Sequence, residues 1–298
     1  MRLYYCDQHE LPLPPGHRFP IRKYGLLRET LHATGAFKFV TSPLAARETI
    51  TVVHDPNYVD AFLAGTLQPD VLRRIGFPWS QGLVNRTLAS VGGTLAATDD
   101  ALAIGIGGGL AGGTHHAFRS EGSGFCVFND IAVAIANLLH HGRIARAAVL
   151  DLDVHQGDGT AKIFEDDPQV LTISVHGRNN FPFRKQTSKL DIDLPDGCPD
   201  EAYLAAVERA ISAAVAFRPD IVFFQSGVDG LDSDKLGRLG LTHAGLKRRD
   251  EMVLGAVRSA RIPCVITLGG GYSDPIELTV EAHANTFRTA ALLFSKDE

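Results

Sequence analysis

The sequence predicts an α/β fold, a single domain in which a mostly parallel β-sheet is flanked by helices. Short apolar segments rich in Val, Ile, Leu and Phe recur along the chain, and several lack alternation, as strands buried on both faces of a parallel sheet do. Segments with helical periodicity lie between them. No fixed-period repeat, low-complexity linker or shift in composition divides the chain, so residues 1–298 are predicted to form one domain.

Six segments are predicted as strands, in chain order RLYYC, TITVVH, AAVLDLD, VLTISVH, DIVFFQSG and PCVITLGGG. The predicted helices are IRKYGLLRETLHATG, VNRTLASVGGTLAATDDAL, NDIAVAIANLLHHG, DEAYLAAVERAISAAVAF, HAGLKRRDEMVLGAVRSA and PIELTVEAHANTFRTAALLF. The third helix ends on Gly142 as a cap, and the fourth begins on an acidic residue and stops before Arg218-Pro219. Strands that alternate with helices favour parallel pairing.

The composition is that of a globular protein, with 45% apolar residues and a net charge of −5 over 298 residues. This charge, without a run of Lys or Arg, argues against a nucleic-acid partner. The N-terminal residues MRLYYCDQHE lack the apolar stretch of a signal peptide, and no apolar run reaches the ~20 residues of a membrane span. The four cysteines are far apart and are expected to be reduced. We therefore expect a soluble cytoplasmic protein.

Three predicted strands run directly into loops with reactive side chains. The loops are Asp151-Leu152-Asp153-Val154-His155, Gln225-Ser226-Gly227-Val228-Asp229 and Gly269-Gly270-Gly271-Tyr272. Ligands in open α/β sheets gather outside the carboxyl ends of the strands. If these strands are neighbours, their side chains converge at one edge of the sheet.

The first of these loops has the spacing of a metal site. Asp153 and His155 are two residues apart on an extended segment and point to the same side, with Asp151 deeper on that side. With Asp229 they make a three-ligand set with one position open, as at a catalytic zinc site. Burying this many charges without an ion would be costly. The alternative, that such aspartates cap a helix or face solvent, does not account for the whole cluster.

Two histidine pairs have different settings. His140-His141 ends a predicted helix, where a positive charge is favoured, and is interpreted as structural. His115-His116 lies in a segment, residues 105–124, in which eight of twenty residues are glycine. Such a loop is costly to order, so the second pair indicates acid–base catalysis beside a metal. Residues 107–112 also satisfy G-x-G-x-x-G, but a predicted helix precedes them and none follows, which argues against a dinucleotide site.

Five motifs, GGTHHAF, GFCVFND, DLDVHQGDGT, QSGVD and LGGGYS, stand in the order found in zinc-dependent histone deacetylases and their bacterial relatives. The resemblance extends from about His17 to His283. It is greatest to the class IV branch, because of HRFPIRKYGLL, of Gln156 after His155, and of LDSDKLGRLGLT after the third ligand. The resemblance implies the arginase–deacetylase fold and a histone deacetylase-like catalytic domain over residues 1–298.

The resemblance also implies roles for individual residues. Zn²⁺, for which Fe²⁺ could substitute, is implied to bind Asp153, His155 and Asp229. The implied catalytic residues are the tandem His115 and His116, Asp151 and Asp158 that orient them, and Tyr272 that polarises the substrate carbonyl. The implied substrate-binding residues are Gly124, through its carbonyl, Phe125 on one wall of the acyl tunnel, and Phe181 or Phe183 on the other.

Two structural cation sites for K⁺ or Na⁺ follow from the same resemblance. The inner site would use Asp151, Asp153, His155, Ser174 and Val175, and the outer site the carbonyls of Phe164, Asp167 and Val170.

Two positions depart from the family pattern. Thr114 replaces an aromatic residue or proline, which leaves that side of the tunnel undefined, and Asp158 replaces the usual Asn of this branch. A carboxylate at position 158 is expected to raise the basicity of His116.

The predicted reaction is hydrolysis of Nε-acyl-lysine in peptides or proteins by metal-activated water, with His116 transferring protons and Tyr272 stabilising the oxyanion. Class IV resemblance implies acyl chains longer than acetyl. Acetylpolyamines are the alternative substrate, disfavoured because GRNNFPFRK carries Arg178, Arg184 and Lys185 and no acid.

A two-metal arginase-like site lacks its bridging Asp at Gly157, and Asp229 and Asp232 are three apart, not two. A non-catalytic binding module is disfavoured because every catalytic position is filled. The oligomeric state is left open.

Overall fold

Eight strands form one sheet in the computed structural model, which describes residues 1–295. The strands are β1 (Arg2–Tyr5), β2 (Lys38–Thr41), β3 (Ile106–Gly109), β4 (Ala147–Asp151), β5 (Val170–Gly177), β6 (Leu190–Leu194), β7 (Ile221–Gln225) and β8 (Cys264–Thr267). Their order across the sheet is β2-β1-β3-β8-β7-β4-β5-β6, and all neighbours pair in parallel. The predicted α/β fold with a mostly parallel sheet is confirmed.

Helices cover both faces of this sheet. They are α1 (Arg22–His32), α2 (Arg47–Ile50), α3 (Pro56–Ala64), α4 (Pro69–Ile75), α5 (Gln81–Ile104), α6 (Asp130–His140), α7 (Asp158–Ile163), α8 (Asp200–Ala216), α9 (His243–Ser259) and α10 (Ile276–Phe294). The six predicted helices correspond to α1, α5, α6, α8, α9 and α10, and α6 is followed by Gly142 at φ +62° as expected. No helix within residues 1–295 is long and apolar enough to cross a membrane.

Two large apolar clusters on opposite faces of the sheet make up most of the core. In β4, Ala148 and Leu150 belong to the cluster with α1, α8, α9 and α10, whereas Ala147 and Val149 belong to the cluster with α5 and α6. Successive strand residues point to opposite faces. Both faces of the central strands are therefore buried, which accounts for their unbroken apolar runs.

The strand prediction for TITVVH is wrong. Its first residues end α2, and the amide groups of Val53 and His54 donate to the carbonyl of Ile50 in the turn that follows. Ile50 and Val53 are buried three residues apart while Val52 is exposed. This spacing is that of a helical turn, and it outweighs the strand preference of β-branched residues.

Three strands were not predicted, and β3 explains the glycine-rich segment. A Cβ on Gly107 would lie 1.8 Å from the carbonyl oxygen of Ala97, so glycine lets α5 pack directly on the sheet. The first glycines of G-x-G-x-x-G therefore lie in a strand that follows α5, and they serve packing. The edge strand β6 alternates buried Ile192 and Leu194 with exposed acids, and β2 is a short edge strand.

Candidate active site

The ends of three adjacent strands form the site. β8, β7 and β4 are neighbours in the sheet, as the sequence required for its loops to converge. Asp153 and His155 follow β4, Asp229 follows β7, and Tyr272 follows β8. The ligand atoms of Asp153, His155 and Asp229 lie within 4.8 Å of one another, and all three residues are buried.

The donor set of these three residues fits a metal ion. Nδ1 of His155 lies 2.9 Å from Oδ2 of Asp229 and 3.1 Å from Oδ1 of Asp153. Backbone amides fix the carboxylates, since Gly270 donates to Asp153 at 2.7 Å and Val154 donates to Asp229 at 3.0 Å. Two buried carboxylates and an imidazole on one small volume suit a divalent cation such as zinc.

Glycines make room for these carboxylates. A Cβ on Gly270 would lie 1.9 Å from Oδ2 of Asp229, and one on Gly227 would lie 2.2 Å from Oδ2 of Asp153. The glycines of GVD and LGGGY are therefore needed for the close approach of backbone to the ligand side chains.

The tandem histidines are held by the two predicted carboxylates. Nδ1 of His115 lies 2.7 Å from Oδ2 of Asp151, and Nδ1 of His116 lies 2.6 Å from Oδ1 of Asp158. Nε2 of His115 is also 4.0 Å from Asp153. Each hydrogen bond fixes one ring nitrogen, so the other nitrogen of each ring is directed elsewhere in the site.

The two histidines differ in basicity. For His115, burial lowers the pKa, but Asp151, Asp153 and Asp158 together outweigh burial and raise it to about 9. For His116, burial and then the charge of His115 lower the pKa to about 4, and Asp158 opposes them only in part. Asp158 raises the pKa of His116, as expected, but burial and the neighbouring His115 have the larger effect, so the net pKa is lowered.

A cavity of about 840 Å³ opens onto these residues and contains all four predicted substrate-binding positions. Gly124 and Phe125 adopt φ +54° and +66°, and a Cβ on Gly124 would lie 2.8 Å from the ring of His116. The ring of Phe181 lies 5.0 Å from that of His116, whereas Phe183 is 83% exposed. Phe181 thus lines the cavity beside His116, and the exposed Phe183 lies at the mouth.

Tyr272 also borders the cavity, and its ring is 6.3 Å from that of Phe125. Burial raises the pKa of its phenol well above the usual value, so the hydroxyl stays protonated and can donate a hydrogen bond. The amide of Tyr272 donates to Asp234 at 2.6 Å, which fixes the backbone of this loop.

The remaining predicted residues occupy neighbouring positions. Ser174 pairs with Asp151 across β4 and β5, and Val175 follows it. The amide of Asp167 donates to the carbonyl of Phe164 at 3.1 Å, and that of Val170 to Asp167 at 3.4 Å. The K⁺ or Na⁺ sites at these two groups remain predictions.

Thr114 adds little volume to its side of the cavity. Its hydroxyl lies 2.5 Å from the carbonyl of Phe128 and 2.6 Å from Asp130. It therefore fixes the loop that carries the histidines.

Sequence reasoning missed three buried basic residues around the site. Nζ of Lys23 donates to the carbonyls of Gly269 and Gly271 at 3.2 and 3.4 Å. Arg249 donates to the carbonyl of Gly227 at 2.5 Å and pairs with Asp250 at 2.8 Å. Arg86 lines the cavity. Each lies on the buried face of an amphipathic helix, as Lys23 does with Leu27 and Leu31 in α1. A basic residue at an apolar position of the helical pattern was the sequence signal that could have identified them.

The fold and the site define a class. The model of the histone deacetylase domain matches residues 17–287. The chain therefore belongs to the histone deacetylase family, and the prediction of a deacetylase with the arginase–deacetylase fold is confirmed.

Individual relatives agree with this assignment. The chain is 44% identical to an uncharacterized protein of Picosynechococcus sp., over 96% of this chain and 97% of that protein. It is 30% identical to histone deacetylase 2 of Arabidopsis thaliana, over 86% and 70% of the two chains. It is 34% identical to the acetoin utilization protein AcuC of Bacillus subtilis, over 74% and 62%.

A solved structure shares the fold. The crystal structure of acetylpolyamine aminohydrolase from Burkholderia pseudomallei superposes with a TM-score of 0.79 at 24% identity, over 98% of this chain and 99% of that one.

Proposed function

We propose that the protein is a zinc-dependent hydrolase that removes acyl groups from Nε-acyl-lysine in peptides or proteins. The observation that carries this proposal is the buried Asp153–His155–Asp229 set in a cavity that Phe125 and Phe181 also line. These three residues would hold the ion, which when bound polarises the acyl carbonyl and lowers the pKa of a water molecule towards about 7. Iron is the alternative metal.

The two histidines divide the proton chemistry. His115 lies within 4.0 Å of two carboxylates, which favour its charged form, so it acts as a fixed positive charge. His116 contacts a single carboxylate and lies beside Phe181 in the cavity wall. It accepts a proton from the attacking water and then delivers one to the leaving lysine amine. Asp158 holds the ring in the orientation that this exchange needs.

Two further groups position the acyl amide. The hydroxyl of Tyr272 donates a hydrogen bond to the carbonyl oxygen as negative charge develops there. The carbonyl of Gly124 accepts from the amide N–H of the substrate, and the positive φ of Gly124 and Phe125 directs this turn into the cavity. Phe125 and Phe181 contact the aliphatic part of the lysine side chain.

Charge at the mouth favours a peptide over a polyamine. Among the described residues that line the cavity, the acids are the two metal-site aspartates, whereas five exposed basic side chains belong to Arg18, Arg73, Arg74, Lys235 and Arg238. Three of the five pair with acids outside the lining. In GRNNFPFRK, Arg178 is likewise paired with Asp193, so Arg18 and Arg73 are the exposed basic residues of the cavity lining that have no acid within 4.0 Å in residues 1–295. A cationic polyamine would meet repulsion there.

A substrate panel tests this proposal. It compares kcat/KM for acetyl-, octanoyl- and myristoyl-lysine peptides with N-acetylspermidine and N-acetylputrescine. We expect an acyl-lysine peptide to be the best substrate. If an acetylpolyamine exceeds every peptide, the acetylpolyamine deacetylase replaces this proposal, and if none is hydrolysed, a binding module does.

Metal analysis tests the site itself. We expect about one zinc per chain, and loss of metal and activity in Asp229→Ala. The control is Asp232→Ala, an exposed acid three residues later. An Asp229→Ala protein with full metal content and activity would exclude the assignment.

A further inference from the structure

The cavity does not end at the metal set. One of its walls is a face of α5 made of Leu83, Arg86, Thr87, Ser90 and Val91, which are spaced three and four residues apart. Cys6, Lys23 and Tyr24 line the cavity together with this face. We call the space between Lys23, Tyr24 and this face of α5 the inner chamber. It is continuous with the space that contains Asp153 and His155.

Two buried cations line the inner chamber. Arg86 is 7% exposed and Lys23 is 1% exposed. Lys23 lies 5.3 Å from the rings of both Tyr272 and Tyr24, and the guanidinium of Arg86 stacks 4.3 Å from the ring of Tyr24. Burial lowers the pKa of Lys23 to about 8, while Asp229, Asp153 and Asp234 oppose that shift. The ammonium of Lys23 and the guanidinium of Arg86 therefore flank one aromatic ring.

Neither cation has an anionic partner in the part of the chain that the structure describes. Within residues 1–295, no carboxylate lies within 4.0 Å of either one. Arg86 donates to the carbonyl of Cys6 at 3.4 Å, forms a side-chain hydrogen bond with Tyr24, and lies over the ring of the same tyrosine. These partners are neutral, and a guanidinium has five N–H donors, so part of its hydrogen-bonding capacity remains for a ligand. A buried charge without a partner is costly. A ligand anion would remove that cost.

The wall also decides between kinds of ligand. A purely aliphatic chain would bury Arg86, Thr87 and Ser90 against methylene groups, which leaves polar atoms without partners. A carboxylate would accept from the guanidinium in two parallel hydrogen bonds and from the ammonium of Lys23. The chemistry of the chamber therefore fits a short chain that ends in a negative charge.

We propose that the inner chamber binds the terminal carboxylate of an acid-terminated acyl group, such as succinyl or glutaryl, carried by the substrate lysine. This inference rests on the proposed function and names its acyl class. In the reaction, water adds to the acyl carbon and the C–N bond breaks. The amine keeps the electron pair and takes a proton, and a dicarboxylate is released.

A pair of peptides that differ in charge alone tests the proposal. Succinyl-lysine and succinamoyl-lysine have nearly the same shape, but the second carries a neutral amide in place of the carboxylate. We expect the wild-type protein to favour succinyl by about 10- to 100-fold in kcat/KM, the range for hydrogen bonds to charged groups. This ratio should fall to near one in Arg86→Met and Arg86→Gln, and should stay above one in Arg86→Lys. A wild-type ratio at or below one would overturn the proposal.

Controls separate recognition from folding. Arg248→Met removes an exposed arginine of α9 and should keep the ratio of the wild-type protein. Thermal melting shows whether each Arg86 variant is folded. If Arg86→Met and Arg86→Gln do not fold, the test depends on Arg86→Lys, which keeps the positive charge. A folded Arg86→Met protein with an unchanged ratio would also overturn the proposal.

Inhibition by free acids separates two sources of carboxylate. Succinate should inhibit the wild-type protein more strongly than acetate, and this difference should disappear in Arg86→Met. If acetate inhibits as strongly as succinate and succinyl peptides are not preferred, the chamber holds the released product and the substrate assignment is wrong. Hydrolysis of acetyl-lysine without hydrolysis of succinyl-lysine would refute this inference alone, whereas inactivity towards every acyl-lysine would refute the proposed function.

Discussion

Replacing Gly270 by alanine adds one methyl group at a crowded point of the proposed metal site. The new Cβ would lie 1.9 Å from Oδ2 of Asp229 and 3.0 Å from Oδ2 of Asp153. Gly270 does not have the positive φ of its neighbour Gly269, so alanine brings no backbone strain of that kind. The substitution therefore tests the packing of ligand carboxylates against the backbone.

The size of the effect follows from these distances. Real Cβ atoms essentially never approach other atoms closer than 3.0 Å, so the carboxylate of Asp229 must move by more than 1 Å. It cannot swing into solvent, because Asp229 is fully buried and accepts a hydrogen bond from Val154 at 3.0 Å. Ligands must be held within about 0.5 Å of their productive positions. A displacement of about 1 Å can cost about 100-fold in rate.

Metal analysis and kinetics together measure the effect of the displaced carboxylate. We expect Gly270→Ala to contain much less than one metal per chain and to lose at least about 100-fold in kcat/KM on the best acyl-lysine peptide. Gly255→Ala is the matched control, because its Cβ meets nothing within 4 Å and it lies inside α9. That variant should be slightly more stable, by about 0.5 to 1 kcal/mol. Full metal content in Gly270→Ala, with activity within threefold of wild type, would refute this reasoning.

Three other predictions concern single groups. Tyr272→Phe should lower kcat by about 100- to 1,000-fold with unchanged metal content, and a loss as large in Tyr58→Phe, another buried phenol, would make the effect unspecific. A histidine ligand binds metal as neutral imidazole, but Asp229 and Asp153 outweigh burial and raise the pKa of His155 to about 10. Metal must displace that proton, so affinity should rise about tenfold per pH unit from pH 6 to 8, and a flat titration would contradict this. Arg249→Met leaves Asp250 buried without its partner and should cost about 3 to 5 kcal/mol in chemical denaturation, and a cost under 1 kcal/mol would exclude that role.

The sequence predicted the centre of the sheet better than its periphery. β4, β7 and β8 are buried on both faces, so their apolar runs were visible without any tertiary information. β3 was not predicted because its close contact with α5 requires glycine at Gly107. Glycine has a low strand propensity, so the segment has the composition of a loop. TITVVH was misassigned because β-branched residues also serve in a short helix and its turn when Ile50 and Val53 face the core.

The same contrast holds at the site. Asp153, His155 and Asp229 were recognisable because carboxylates and imidazole are common metal ligands and each follows directly after a predicted strand. Lys23 and Arg249 were not, because they bind backbone carbonyls of loops far away in sequence. Only the packed structure shows which carbonyls those are.

The positions of these basic residues indicate how the fold controls charge. The strands deliver carboxylates to one edge of the sheet, where Asp153 and Asp229 are buried together. The helices deliver the opposite charge, with Lys23 from α1 and Arg249 from α9 directed at the glycine loops beside those carboxylates. Lys23 donates to two backbone carbonyls, and Arg249 donates to backbone carbonyls and pairs with Asp250. Arg86 of α5 has no ion pair in residues 1–295, and its contacts are with the carbonyl of Cys6 and the side chain of Tyr24. A buried arginine that only braces the fold would have a partner acid as Arg249 does, so the lack of one at Arg86 is the feature that favours a ligand-binding role.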